Sequence, residues 1–277
     1  MKTPLAGRML RSIAWAATVV VTLYPLLFMI FAAFKTPQEF TLNFWLPPRP
    51  GGFTLDNLLE VWLRYKFYLF FRNSVVVSAG ASALTLALSL LAGYAFARLR
   101  FPLSEVLFVF IIGILFLPVF IYIIPLFVQM RSLHLTNSLA SLLAVYTFFG
   151  LPSSIFIARG YFETLPGELA ESGLMDGASQ FAVFRHIMLP LARPITSAIL
   201  ILAFIGNWGE YIWVIVSNTR DAVKTIPAAL TYFTTMSNVF WWYQMAALFI
   251  AIFPVLLVYL VLNRMFIRGM TEGALKA

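Results

Sequence analysis

The chain has 277 residues, of which 61% are hydrophobic and only 11% charged, with a formal net charge of +8 and no cysteine. That balance is foreign to a soluble domain of this size and ordinary for a polytopic membrane protein, and the missing cysteines exclude disulfides and thiolate-held metals. Lys and Arg sit singly or in pairs between apolar runs rather than in a stripe with aromatic platforms, so the positive charge reads as orientation in a bilayer and not as nucleic-acid binding.

A bilayer crossing needs about 20 apolar residues. Six segments qualify, approximately 13–34, 74–97, 106–128, 139–158, 196–216 and 244–262. The expected fold is therefore all-α, with six transmembrane helices, residues 1–12 as a cytoplasmic N-terminus and 13–277 as one transmembrane domain. Lys2, Arg8 and Arg11 precede the first run as in a signal peptide, but the run from Ile13 to Phe34 is too long for one and lacks a small-x-small cleavage site, so it reads as an uncleaved span. Pro25, Pro118, Pro125, Pro152 and Pro254 fall inside the runs, where neighbouring groups satisfy the freed carbonyls. With the N-terminus inside, the larger share of Lys and Arg lies on the cytoplasmic side, and most of the rest lies in one long outer segment. Both termini are then cytoplasmic.

That outer segment, Lys35 to Arg72, is irregular around Pro47, Pro48, Pro50, Gly51 and Gly52, then helical from Asp56, which would cap a turn through Leu58, Leu59 and Trp62. Trp45, Phe53, Trp62, Tyr65, Phe67 and Tyr68 read as a headgroup-level aromatic belt, a platform for an external partner, or both. Asn73, Ser74, Gln129 and Asn137 read as helix caps. His134 and His186 read as surface histidines rather than ligands, and no metal constellation is present.

Between the fourth and fifth spans lies a polar loop, 160–195, with Glu168, Glu171 and Asp176 wedged between apolar runs. Pro166 suits the first turn of a helix, with Thr164 or Leu165 near its cap. Glu168 and Glu171 follow, three apart and on one face, where the helix dipole favours carboxylates. Gly173 weakens or ends this helix, and Asp176-Gly177 marks a turn. A second helix starts near Ser179, with Phe181, Phe184 and Met188 on one apolar stripe, and ends at Pro190 and Pro194. So short a first helix needs a partner surface. Two acids on one face fit a soluble protein better than an anionic inner leaflet.

The run Glu171-Ser-Gly-x-x-x-Gly177, nine residues, then Ile187-x-Leu-Pro190 resembles the EAA loop of permease subunits of ATP-binding-cassette importers. The flanks Pro166-x-Glu-Leu169 and Asp176-Gly-Ala-Ser179 resemble the carbohydrate branch, specifically the maltose-type second permease. Thr54-Leu-Asp-Asn57, Asn73-Ser74, Ala92-Gly-Tyr-Ala-Phe-Ala-Arg98, Ile124-Pro-Leu126, Thr225-Ile-Pro227 and the tail Arg268-Gly-Met-Thr-Glu-Gly-Ala-Leu-Lys276 are similar to it too. The resemblance implies the type I importer permease fold, with this loop as a coupling helix seated in a cleft of an ATPase subunit. Glu168, Leu169, Glu171, Ser172, Gly173, Asp176, Gly177, Ala178 and Pro190 would form that coupling element. Arg268, Gly269 and Lys276, in a cytoplasmic tail 264–277, would add a second contact. It implies a second homologous permease, an ATPase dimer that binds the ATP and Mg, an extracytoplasmic binding protein, a sugar substrate, and the plasma membrane of a bacterium or archaeon. Ser172-Gly173 stands where the family pattern has paired alanines, which lowers intrinsic helicity by about 1 kcal/mol.

No G-x-x-x-x-G-K-[ST] occurs, so no P-loop binds ATP in this chain, and H-E-x-x-H and G-x-S-x-G are absent too. No catalytic residue is assigned and no cofactor is expected. Glu210 is the one acid inside an expected span, within Gly206-Asn-Trp-Gly-Glu-Tyr-Ile-Trp213, similar to the family's W-N-E-F stretch with Gly209 for Asn. A carboxylate there faces a cavity or a partner. In the first case Asn207, Trp208, Glu210 and Tyr211 line a path for sugar; in the second Glu210 pairs with a neighbouring helix. A glycerol-phosphate or other polar-solute importer is the alternative within the class, and no intramembrane arginine marks a phosphate site. A stand-alone carrier would need more ion-coupling groups than Glu210, and the absence of an internal repeat weighs against it.

Overall fold

The computed structural model describes residues 5–234 and 240–274, those before Arg11 (Met9 apart) and beyond Asn263 as backbone only. Among the described residues the regular structure is mainly helical, with an extended bridge between Lys35 and Phe53. Contacts divide the chain into two compact units, residues 1–68 with 229–253 and residues 69–228 with 254–277.

The first unit holds α1 (Leu5–Ala33), α2 (Pro37–Leu42), α3 (Asp56–Leu59, continued by a π turn over Glu60–Arg64) and the start of the last helix. Its outer segment is organised by Lys35, which is fully buried. A buried ammonium is tolerated only with full hydrogen bonding. Its Nζ donates to the carbonyls of Asn43 and Phe44, the latter at 3.1 Å. Burial pulls the Lys35 pKa down, opposed by the Glu39 carboxylate. Glu39 accepts from Asn43 Nδ2 at 2.7 Å and from the Arg49 amide at 3.1 Å, and these bonds hold its pKa below the ordinary glutamate range. Asn57 Nδ2 donates to Ala33 O (2.9 Å) and Lys35 O (2.7 Å), taking carbonyls that the end of α1 leaves open. Asp56 does not cap α3. Its amide donates to Thr54 Oγ1, and Leu55 holds the cap position without a side-chain bond. Of the expected belt, Tyr65 packs on Phe233 and Tyr243, whereas Trp45 and Phe53 stay exposed.

The second unit is built on α4 (Phe67–Arg98), α5 (Ser104–Gly113, extended by a 3₁₀ turn to Phe116), α6 (Val119–Ser132), α7 (Leu139–Thr164), α8 (Glu168–Met175), α9 (Gln180–Val183), α10 (Leu189–Leu191), α11 (Arg193–Gly209), α12 (Ile212–Ser217) and α13 (Ile226–Ala229). The final helix, α14, runs Trp241–Ala274 across the boundary between units. Among the described residues four helices are long and apolar enough to cross a bilayer, over Arg11–Ala33, Phe67–Arg98, Leu139–Thr164 and Trp241–Asn263, and up to six when two bent pairs each count as one span. The expected single span at 106–128 is one such pair. Pro118 has no N–H and forces Leu117 into an extended conformation, so the chain turns by 106° between α5 and α6. The span expected at 196–216 stops at Gly209 and restarts at Ile212. Pro25, Pro125, Pro152 and Pro254 lie within continuous helices, as expected.

The residues read as caps do other work. Asn73 and Ser74 are buried within α4, which begins ahead of them. Asn73 Nδ2 donates to Ala222 O and Lys224 O, both at 2.9 Å, and the Ile226 amide donates to Ser74 Oγ at 2.8 Å. Asn137, at φ 57°, accepts at Oδ1 from the amides of Thr219 (2.7 Å) and Arg220 (3.0 Å), while Ser138 caps α7. Gln129 sits in the last turn of α6, and its carbonyl accepts from Ser132 Oγ.

Asn73→Ala leaves two carbonyls without their donor. It is expected to cost about 1–3 kcal/mol, read as a lower melting midpoint in detergent. Because the Glu39 pKa is lowered on folding, its contribution is fully present above the unfolded glutamate value and is lost as pH falls through the folded one. Amide protection factors over 36–49, corrected for the intrinsic pH dependence of exchange, should fall on acidification in the native chain and stay constant across that window in Glu39→Gln.

Candidate functional site

The polar loop folds as two helical elements on an apolar floor. α8 is an eight-residue helix. Its buried face is Ala170 and Gly173, one turn apart; Glu168, Leu169, Glu171, Ser172, Leu174, Met175 and Asp176 all face outward, Met175 at 88% exposure. The expected start at Pro166 is displaced. α7 runs on to Thr164, Leu165 terminates it in an extended conformation, and α8 begins behind Gly167. This follows because the residue before a proline is driven out of the helical region.

Gly173 does not end the helix. A Cβ there would lie 2.7 Å from Ile187 Cδ1 and 3.2 Å from Val183 Cγ2, so the missing side chain lets α8 seat closely on the next element. The helix ends instead in a Schellman motif. Gly177 takes φ +83°, its amide bonds Leu174 O, and the Ala178 amide bonds Gly173 O, each at 3.0 Å. Ser179 then caps α9, accepting from the Ala182 amide at 3.2 Å. α9 continues as a π turn over Phe184–Met188 into α10. Phe184 and Met188 are buried as expected, whereas Phe181 is exposed and Val183 takes the inward place. Pro190 lies inside α10, and the chain breaks at Ala192, where the line of Gln180–Leu191 meets α11 at 79°.

The floor is one core of Leu90 and Tyr94 from α4, Ala158 and Phe162 from α7, Ala170, Val183, Phe184 and Met188 from the loop, and Ala192 and Ile199 toward α11. Burying each large side chain contributes about 1.5–3 kcal/mol, which supplies the stability that α8 lacks by itself. Polar ties flank it. Arg98, at the end of α4, donates through Nη2 to Phe162 O at 2.7 Å and to Leu165 O, holding the carbonyls that α7 leaves open just before α8. Tyr94 Oη donates to Gln180 Oε1 at 3.3 Å and its ring packs on Phe162 and Phe184. The segments on either side of α8 are thus tied to the last turns of α4. A cavity of about 1090 Å³ opens beside it, lined by Arg98, Arg100, Glu105, Glu171 and Leu174 among others. Sequence reading gave Arg98 no such role; a cationic residue on the last turn of a long helix was the available signal.

The second candidate lies at the break between α11 and α12. Asn207 is buried and donates from Nδ2 to Ser82 Oγ of α4 at 3.1 Å. Trp208 is buried against Phe204 and Phe71. Glu210 Oε1 accepts from the Trp213 amide at 2.8 Å, capping α12, and Tyr146 Oη donates to Glu210 O at 3.4 Å. The second oxygen, Oε2, is buried with no hydrogen-bond partner among the described residues. Tyr211 is exposed. The four residues therefore divide: two pack within this chain, one caps a helix, and one faces outward. In the tail, Arg268 and Gly269 fall on backbone-only α14, and Lys276 lies outside the described residues. Among the described residues no cluster suits a metal ion.

Residues 85–272 match the family model described as the binding-protein-dependent transport system inner membrane component. The chain is 30% identical to the sulfoquinovosyl glycerol transport system permease SmoH of Agrobacterium fabrum, over 98% of this chain and 95% of the relative. It is 29% identical to the diacetylchitobiose uptake permease NgcG of Streptomyces coelicolor (95% and 86%) and 27% identical to the trehalose/maltose transport permease MalG of Thermococcus litoralis (100% and 99%). The fold is similar, at TM-score 0.82 and 19% identity, to a chain in the crystal structure of a bacterial ABC transporter involved in import of the acidic polysaccharide alginate, covering 95% and 98%.

Gly177→Ala places a Cβ in the left-handed region at a cost of about 1 kcal/mol. Faster amide exchange confined to 173–178 is expected, with the exchange of α4 and α7 unchanged.

Proposed function

The chain belongs to the family of binding-protein-dependent transport system inner membrane components, and we propose that it is the permease subunit of an ATP-driven saccharide importer, forming half of the translocation path. The observation that carries this reading is α8, whose outward side offers Glu168, Glu171, Leu169 and Met175 with no partner of its own among the described residues. A carboxylate-rimmed apolar helix face suits a groove on a soluble protein. We assign that groove to an ATPase dimer that binds ATP and Mg, with a second, homologous permease presenting an equivalent helix. An external binding protein delivers the substrate. The names of the relatives, covering sulfoquinovosyl glycerol, diacetylchitobiose and trehalose/maltose transport, support saccharide as the substrate class. The tail residues Arg268, Gly269 and Lys276 are assigned a second contact with the same ATPase, from the resemblance alone. The termini are placed in the cytoplasm from the Lys and Arg distribution.

In this mechanism the subunit carries force and does no chemistry. Closure of the ATPase dimer moves α8. Motion passes through Phe162, Phe184 and Met188, and through Arg98 and Tyr94, to α4, α7 and α11. A packed core transmits displacement because it resists compression. It reaches the α11–α12 break, where Asn207 and Trp208 hold the helix, Glu210 caps α12 and Tyr211 faces the path. Switching between inward- and outward-open states needs only that ATP binding favour one of two packings.

Glu171→Arg is expected to lower substrate-stimulated ATP hydrolysis by the reconstituted complex about tenfold or more, with membrane insertion and chain abundance unchanged. Unaltered transport by this variant would remove α8 from the docking contact.

A further inference from the structure

A second cavity of about 840 Å³ lies on another side of the loop, between α4 and α11. Ala83, Ala87 and Leu91 form one wall and Leu200 the other, while Phe184 and Pro190 close one end. Small side chains at 83 and 87, one helical turn apart, leave a lane open along α4. The lining is mainly apolar, with Arg185 and Arg193 at the mouth and Thr196 as its one further polar residue, whose hydroxyl donates to Ala192 O at 3.0 Å.

Three observations bear on what fills it. Neither guanidinium forms an ion pair or side-chain hydrogen bond among the described residues. No carboxylate lines the cavity. The 79° elbow between Gln180–Leu191 and Arg193–Gly209 lays the first segment along a bilayer surface when α11 crosses it, which sets both arginines at headgroup depth. A guanidinium pair presents forked donors suited to phosphate oxygens, and basic pockets between spans at this depth recognise anionic headgroups.

We propose that this groove holds one anionic phospholipid, its phosphodiester between Arg185 and Arg193 and one acyl chain in the Ala83–Ala87 lane. A zwitterionic lipid gains less, because its own cation competes with the arginines. The inference rests on α11 spanning a bilayer and is independent of what the protein transports.

The test uses the full chain with its co-purifying subunits in phosphatidylcholine nanodiscs that carry photoreactive phosphatidylglycerol, or photoreactive phosphatidylcholine in a parallel sample, with labelled peptides mapped. Labelling of peptides over 83–91 and 181–200 by the glycerol probe is expected. It should fall about tenfold in R185Q/R193Q and persist in R185K/R193K. Ala87→Trp, which fills the lane and leaves the charges in place, should abolish it independently. Equal labelling by both probes, unchanged labelling in R185Q/R193Q or in Ala87→Trp, or competition by inorganic phosphate at physiological concentration would each overturn the proposal. So would a photoreactive residue at position 87 that crosslinks to another protein chain in place of lipid.

Discussion

A helix that stops beside a bilayer leaves amides and carbonyls with no water to take them, and most named side chains in this structure answer that constraint. Lys35 takes the carbonyls of Asn43 and Phe44, and Asn57 those at the end of α1. Asn73 takes Ala222 O and Lys224 O, and Ser74 caps α13. Arg98 takes the last carbonyls of α7. Glu210 caps α12. In each case a polar residue in an apolar stretch marks where another helix ends.

The same constraint explains why the polar loop is ordered. An eight-residue helix with two acids and a central glycine would not form alone in water. It forms here because Ala170 and Gly173 sit on a core drawn from α4, α7 and α11, and because Gly177 closes its end. Its stability therefore belongs to the spans beneath it. A loop held in this way cannot move without them, which is the property the proposed coupling role requires.

Seen through this constraint, the polar residues near the α11–α12 break are not all of one kind. Asn207 and Trp208 are spent on neighbouring helices, while Tyr211 faces outward and Glu210 keeps one buried oxygen without a partner. A helix interrupted next to an acid is a common way to expose backbone to a cavity within a membrane. The break puts Glu210 at a helix terminus instead of inside a continuous span.

Composition and apolar run length alone determined the all-α membrane class, because no soluble core needs such uniform hydropathy. Local chemistry placed the two carboxylates of α8, the start near Ser179 and the Asp176-Gly177 stop, because dipole, cap and left-handed backbone act within a few residues. Pro118 was expected inside one continuous span, and the structure turns the chain there by 106°. Tertiary structure decided the rest. Asn73 and Ser74 looked like caps of their own helix and proved to serve a segment some 150 positions on. Gly173 looked like a helix breaker and proved to be a packing contact with Ile187. Arg98 looked like an orientation charge and proved to hold the end of α7. These roles depend on which helix lies alongside, and periodicity along one helix carries no information about its neighbour.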